Sequence, residues 1–329
     1  MTTRRWPALI DHALEASVIG SFTKLGSTIR SRSEKWQEPE HLTGRRVVIT
    51  GATSGIGLAA AIHLSRAGAH VHLVGRNPAK LAEAERRVLA TSAGDVRTHL
   101  CDLSSCHDTK RLSDELASLR LTIDVLVHNA GALLAHFTPT DEGVETTVAT
   151  HLLNPYLLTE SLMASATLAP NGRVIVMSSG GMYTQRADVG SLEMTADNYS
   201  GSVAYARAKR AQTLLAQHWT RRYGASGRGF HVVHPGWVDT PGVDDGLPLF
   251  SKIMGPLLRS PDQGADTLVW LAGQPEGEPT SGLFWHDRQP RSLYRLPGTR
   301  LAHEDEVVVG DEVASWCATR ITTIFESGE

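Results

Sequence analysis

The apolar run Val47-Val48-Ile49 leads directly into Thr50-Gly51-Ala52-Thr53-Ser54-Gly55-Ile56-Gly57, which opens a helical pattern reaching Ala67. A strand, a glycine turn and a helix in immediate succession leave few folds open to a chain. Three glycines alone would mark no more than a tight turn. Between a strand and an amphipathic helix they allow close backbone approach and leave free N–H groups at a helix N-terminus, which is what a pyrophosphate requires. Thr50, Gly51, Thr53, Ser54, Gly55, Ile56 and Gly57 are therefore the first candidate ligand-binding residues.

The rest of the chain extends this pattern. Strands are expected at 47–49, 70–74, 98–100, 125–127, 173–177 and 230–233, and helices at 56–67, 78–91, 144–168 and 203–223. Such alternation predicts the α/β class: a Rossmann-type, doubly wound parallel sheet covered on both faces, with right-handed crossovers. No composition break divides 45–285 and no repeat is visible, so one catalytic domain is expected over 43–290, with extensions at 1–42 and 291–329. In the first extension Ile10, Leu14, Val18 and Phe22 recur every four residues, with Leu25 three further on. Asp11, Glu15 and Lys24 lie off that stripe, which predicts an amphipathic helix packed on the domain. A membrane-surface or partner-binding helix is the alternative, and its charged face is mixed rather than strongly basic.

Composition narrows the partners. Lys and Arg total 32 against 35 for Asp and Glu, a formal net charge of -3, which gives no electrostatic reason to expect nucleic acid. Three cysteines cannot make a disulfide framework and fit a reducing compartment. Cys101, Cys106 and His107 lack a second cluster at metal-binding spacing, so no metal is expected. Arg4 and Arg5 before Trp6 resemble the start of a signal peptide, but Asp11, His12 and Glu15 interrupt the apolar run. No stretch approaches 18 apolar residues, so the expectation is a cytoplasmic protein without a bilayer-spanning helix, peripheral membrane contact being left open.

The residue after the second strand bears on the ligand. A dinucleotide site for NAD usually has an acidic side chain there, for the ribose 2′-hydroxyl. Here Gly75 and Arg76 hold the place, and an arginine makes charge-assisted bonds to a 2′-phosphate, so NADP (NADPH) is favoured over NAD. Asp102 and Leu103 follow the third strand, with Asp102 placed to accept a hydrogen bond from an adenine amino group.

Tyr205-Ala206-Arg207-Ala208-Lys209 puts a phenol and an ammonium on one helical face. A phenol ionises near pH 10, so deprotonation near neutrality needs about 4 kcal/mol of differential stabilisation, for which a neighbouring ammonium is the natural source. Such a tyrosine can donate a proton to a carbonyl oxygen or remove one from an alcohol. Ser178-Ser179 ends an expected strand, where a hydroxyl can orient the substrate oxygen.

With these elements the chain resembles the short-chain dehydrogenase/reductase family over about residues 40–290. The matching segments are the glycine loop, Asn129-Ala130-Gly131, Ser178-Ser179, the Tyr205/Lys209 pair and Pro235-Gly236. The resemblance implies that Ser179, Tyr205 and Lys209 are catalytic, the last two also lying by the cofactor. It implies that Asn129 steadies the central strand near the cofactor, that Ala130, Gly131, Pro235 and Gly236 bind the cofactor with it, and that Thr240, after Pro235 and Gly236, bonds the nicotinamide carboxamide. A closer resemblance, to one branch of the family, rests on Ser178–Met182, His234–Trp237, Asp239–Gly242, Gln263–Thr267, Asp287-Arg288 and Ser21–Lys24. The family usually has asparagine in the helix after the fourth strand, helping to hold a water that links the lysine to solvent. Matching Leu153-Asn154-Pro155-Tyr156 to that pattern puts His151, not Asn154, at this position. The family commonly forms dimers or tetramers, so a homo-oligomer is implied unless the terminal extensions block the interfaces.

Beyond Thr240, Val243, Leu247, Leu249, Phe250, Ile253, Met254, Leu257 and Leu258 form an apolar series broken by proline and glycine. A mobile lid over a hydrophobic carbonyl or alcohol (a lipid, sterol or retinoid) fits this, as does core packing or a subunit contact. The expected function is NADP-dependent hydride transfer between the nicotinamide and a small-molecule carbonyl or alcohol, with Tyr205 as acid/base. His151 motivates the alternative, a cofactor-binding regulatory protein of the same fold with little turnover.

Overall fold

The computed structural model describes residues 5–37, 42–240, 242, 246, 248–275 and 280–327. Arg4, Pro241, Val243, Leu247 and the side chain of Leu249 lie outside the described residues. The sheet has eight strands: β1 (Arg46–Thr50), β2 (His70–Gly75), β3 (Val96–Leu100), β4 (Ile123–His128), β5 (Leu168–Met177), β6 (Gly229–Val233), β7 (Phe284–His286) and β8 (Gln289–Pro290). Their order is β3-β2-β1-β4-β5-β6-β7-β8, parallel except for the short β8. The chain leaves β1 toward one side and enters β4 on the other, so the order reverses beside β1, where an open α/β sheet leaves a crevice.

Both faces are covered because the inner strands are apolar at nearly every position. Val47 and Ile49 of β1, with Val125 and Val127 of β4, face one layer, while Val48 and Leu126 face the other. The first layer is α4 (Gly55–Arg66), α5 (Pro78–Leu89) and α11 (Pro261–Ala272), which bury Leu58, Leu64, Leu81, Val88, Leu268 and Leu271. On the second are α6 (Cys106–Ser118), α8 (Asn154–Ala164) and α9 (Gly201–Tyr223), overlaid by α12 (His303–Ser327). The last helix brings Val313, Cys317, Ile321 and Ile324 into that core. Local chemistry sets several helix starts: Asn77 and Ser105 side chains cap α5 and α6, and Ser260 with Gln263 forms a capping box at α11.

Two sequence expectations change. The helix expected over 144–168 is α7 (Thr146–Val148), a π-helical turn (Ala149–Leu153) and α8, and Leu168 already belongs to β5. The wide turn carries His151, and a π-bulge inside an α-helix frequently marks a functional site. The N-terminal stripe is not one helix but three: α1 (Arg5–Glu15), α2 (Val18–Phe22) and α3 (Lys24–Glu34). Ser17 breaks the first helix by capping the second, its Oγ accepting from Gly20 N at 3.0 Å. Thr23 is extended between the next two. Gly26 lets α3 fold back onto α2, since a Cβ there would lie 2.4 Å from Gly20 O. Val18 and Leu25 of the stripe are exposed, whereas Phe22 is buried.

No helix among the described residues is long and apolar enough to cross a membrane. Cys101, Cys106 and Cys317 are buried free thiols, and burial pushes Cys101 up to about 12.

Candidate active site

The carboxyl ends of β1, β2, β4, β5 and β6 open into a cleft of about 690 Å³. Gly51, Thr53, Ser54, Gly55 and Ile56 line its floor, whereas Thr50 and Gly57 build that floor from below. Thr50 Oγ1 donates to Val127 O (3.1 Å) and accepts from Asn129 N and Ala130 N (3.0 and 3.1 Å). Asn129 Nδ2 in turn donates to Thr50 O and Gly51 O (3.0 and 3.2 Å). Gly51 has φ +66°, and a Cβ there would fall 2.7 Å from Ala130 Cα. The glycine loop and the end of β4 are thus one braced unit, which suits a cradle for a dinucleotide pyrophosphate.

At the β2 end, a Cβ on Gly75 would lie 2.6 Å from Thr53 Cγ2, so an acidic side chain has no room there unless Thr53 moves. Arg76 is 72% exposed, with Nη1 3.9 Å from Asp102 Oδ2. The Asp102 carboxylate is already engaged, Oδ1 accepting from Ser104 N and Oγ. Leu103 lines the cleft beside it, as do Asn77 and Lys80. Lys80 is a second cation at this end that sequence reasoning missed; its place one turn beyond Arg76, after the Asn77 cap, is the signal.

Ser179, Tyr205 and Lys209 come together across the cleft from the glycine loop. Ser178 turns inward, its Oγ donating toward Lys209 O, while Ser179 Oγ accepts from Gly181 N. Burial raises the Tyr205 phenol above its ordinary range, and a hydrogen bond with Ser179 pulls it partly back. Lys209 is buried, with Nζ donating to Met177 O at 2.6 Å and standing 5.6 Å from the Tyr205 ring centroid. Desolvation lowers its ammonium to about 7. Burial weakens the lysine charge itself, and in the free protein it does not bring the Tyr205 phenol below its ordinary range.

His151 lines the same cleft and Asn154 does not, for Asn154 Nδ2 reaches Leu103 O at 2.9 Å. His151 Nε2 donates to Ala132 O (3.0 Å), and Nδ1 finds no partner among the described residues. Burial and the Lys209 charge keep the imidazole neutral.

The opposite wall is Pro235, Gly236, Trp237, Val238 and Thr240, with Phe250 from α10 (Pro248–Met254). Thr240 abuts the glycine loop: a Cβ on Gly55 would lie 3.2 Å from its methyl. Of the apolar series beyond it, Phe250 faces the cleft, Leu258 is buried, and Ile253 and Leu257 face solvent. Trp237, in edge contact with Phe250 at 5.1 Å, is a wall residue sequence reasoning did not single out. Among the described residues no group of three or more His, Cys, Asp or Glu is arranged to hold a metal.

The family model described as short chain dehydrogenase matches residues 45–246. The bovine (Bos taurus) protein named dehydrogenase/reductase SDR family member 12 is 34% identical over 288 residues, 87% of this chain and 90% of that one. Human retinol dehydrogenase 14 is 29% identical over 305 residues, 85% of this chain and 90% of its own. Among solved structures, a 3-oxoacyl (acyl-carrier-protein) reductase from Agrobacterium tumefaciens with NADP bound is 26% identical. It has a TM-score of 0.59, covering 74% of this chain and 92% of that one. The chain belongs to the short-chain dehydrogenase/reductase family, oxidoreductases that act on CH–OH and C=O groups.

Proposed function

We propose that this protein uses NADPH to reduce a hydrophobic carbonyl compound, and the reverse with NADP and the alcohol, with Tyr205 as the acid/base. The observation that carries the reading is the meeting of Ser179, Tyr205 and Lys209 with the braced glycine loop in one cleft. A bound nicotinamide dinucleotide supplies or accepts the hydride. Tyr205, neutral in the free protein, gives its phenolic proton to the substrate oxygen, and Ser179 holds that oxygen in line. Lys209, brought by burial to about 7, exchanges a proton near neutrality beside the phenol. His151 holds the 131–132 turn through its Nε2 bond to Ala132 O.

Arg76 and Lys80 together support the 2′-phosphorylated cofactor, as does the NADP in the solved relative. Leu133, Leu134, Trp237 and Phe250 make the remaining wall apolar, which suits a lipid-, sterol- or retinoid-like substrate and accords with the name of the retinol dehydrogenase relative.

The test is NADPH oxidation with a panel of hydrophobic aldehydes and ketones. Tyr205→Phe should lose about 1,000-fold in kcat while still binding NADPH. Retained activity in that variant would remove Tyr205 from the mechanism. Tight NADPH binding with no turnover on any carbonyl would favour a cofactor-binding regulatory role.

A further inference from the structure

The loop that walls the cleft has a second face, and the N-terminal helices occupy it. Phe22 closes α2 and is 3% exposed. Its carbonyl accepts from Trp237 N at 2.8 Å and from Arg259 Nε at 3.0 Å. Its ring meets His234, Trp237 and His286 edge-on, with centroids 4.3, 5.9 and 5.2 Å away. Gly236, at φ +83°, is pressed on the same Arg259: a Cβ there would lie 2.3 Å from Nε. Phe22 and Arg259, bonded to each other, together hold the 235–237 loop.

Two buried guanidiniums secure that grip. Asp287 Oδ2 accepts from Arg30 Nη1 at 2.7 Å, and its two oxygens accept from Arg259 at 2.5 and 2.9 Å. Arg259 also donates to Ser21 O at 2.7 Å, and Arg30 pairs with Asp11 and Glu15. One carboxylate after β7 therefore ties α3 to the arginine that carries the loop. Trp237 is the common member: it touches Phe22 on one side, and on the other it lines the cleft against Phe250.

We propose that Phe22 is a positioning residue of the active site, fixing Trp237 so that the N-terminal segment sets the width of the substrate wall. The consequence for selectivity rests on the carbonyl-reductase reading of the cleft; the mechanical coupling does not. A wall backed by Phe22 resists a bulky substrate, and removing that support lets the indole yield.

The test pairs an activity-independent readout with a selectivity readout. In Phe22→Ala, amide exchange across 235–240 should rise about tenfold or more while β1 stays as protected as in the parent. The kcat/KM ratio of a polycyclic ketone to a compact cyclic ketone should rise about tenfold, and Trp237→Ala should give the same change. Adding Phe22→Ala to Trp237→Ala should then leave the ratio where it is, because the two residues act in series. Phe22→Leu, which keeps apolar volume, serves if the alanine variant does not fold, and should show both effects in smaller degree. Unchanged exchange in 235–240, or a parallel loss on both ketones, overturns the proposal. A parent protein that reduces neither ketone refutes the reductase reading instead, and the exchange result alone then decides the coupling.

Discussion

His151 stands edge-on to Tyr205, with ring centroids 5.1 Å apart and planes at 90°. A carbonyl only accepts, so the bond to Ala132 O places the proton on Nε2 and leaves Nδ1 as an acceptor, against Gly131 and without a partner among the described residues. An asparagine at 151 keeps an N–H donor, on a shorter side chain. His151→Asn is therefore expected to keep kcat within about tenfold, whereas His151→Ala loses a buried hydrogen bond worth about 1–3 kcal/mol and should lose kcat by about 10–100-fold. NADPH affinity should change little in either. Steady-state kinetics with NADPH titration checks this, and a loss confined to NADPH affinity would assign His151 to cofactor binding instead.

Arg76 and Lys80 are the two cations at the β2 end of the cleft. If they bind a 2′-phosphate, Arg76→Ala should weaken NADPH by about 10–100-fold, the worth of a charge-assisted bond, and leave NADH nearly unaffected. The double variant Arg76→Ala/Lys80→Ala should bring the two cofactors close together. Equilibrium titrations at two salt concentrations suffice, since the NADPH term weakens with salt and the NADH term should not. Equal losses for both cofactors would point to a contact other than the 2′ position.

The sheet and the principal cleft residues were legible because they depend on local order: strand, glycine turn, helix, and a Tyr and Lys one helical turn apart. The N-terminal segment was not. Four-residue periodicity from Ile10 to Phe22 looks the same whether the chain continues straight or reverses, and the reversal depends on a Ser17 cap and a Gly20–Gly26 approach. Nor does any local pattern reveal that Arg30 meets a carboxylate 257 residues away, or that Phe22 backs a wall built by Trp237. The raised Tyr205 phenol was not legible for a similar reason. Spacing brings Lys209 to the right face, but its burial and its bond to Met177 O are tertiary facts.

Several histidines are buried neutral, and together they tie stability to pH. Burial lowers His72 to about 4, His128 and His231 to about 3, and His286 to about 4, against 6.5 for an exposed imidazole. Between pH 6.5 and these values the unfolded chain binds more protons than the folded one, so stability falls as pH falls. Each group contributes up to about 1.4 kcal/mol per pH unit in that interval. Below pH 4 the carboxylates act in the same direction: Asp287 is held well below its usual range by His286, Arg259 and Arg30, which outweigh its burial. Urea midpoints measured from pH 7 to 4 should fall continuously, beginning above the carboxylate range. A flat profile down to pH 4.5 would contradict neutral burial of these rings.

Gly131 packs directly against His151. Its φ is not left-handed, so the backbone would accept alanine, yet a Cβ there would lie 2.0 Å from His151 Cε1 and 2.8 Å from Nδ1. Gly131→Ala must displace the imidazole from its seat on Ala132 O, and should lower both the urea midpoint and kcat. Overpacking a well-filled site typically costs about 1–3 kcal/mol. In a His151→Ala background the added methyl enters space the ring has vacated, so the same substitution should be nearly neutral or slightly stabilising. The double-mutant cycle is expected to show a coupling of at least about 1 kcal/mol, read from urea unfolding of the four proteins. Additive losses would mean that the 131–132 turn shifts rather than the ring, and that this turn, not the His151 side chain, is the rigid partner of Tyr205.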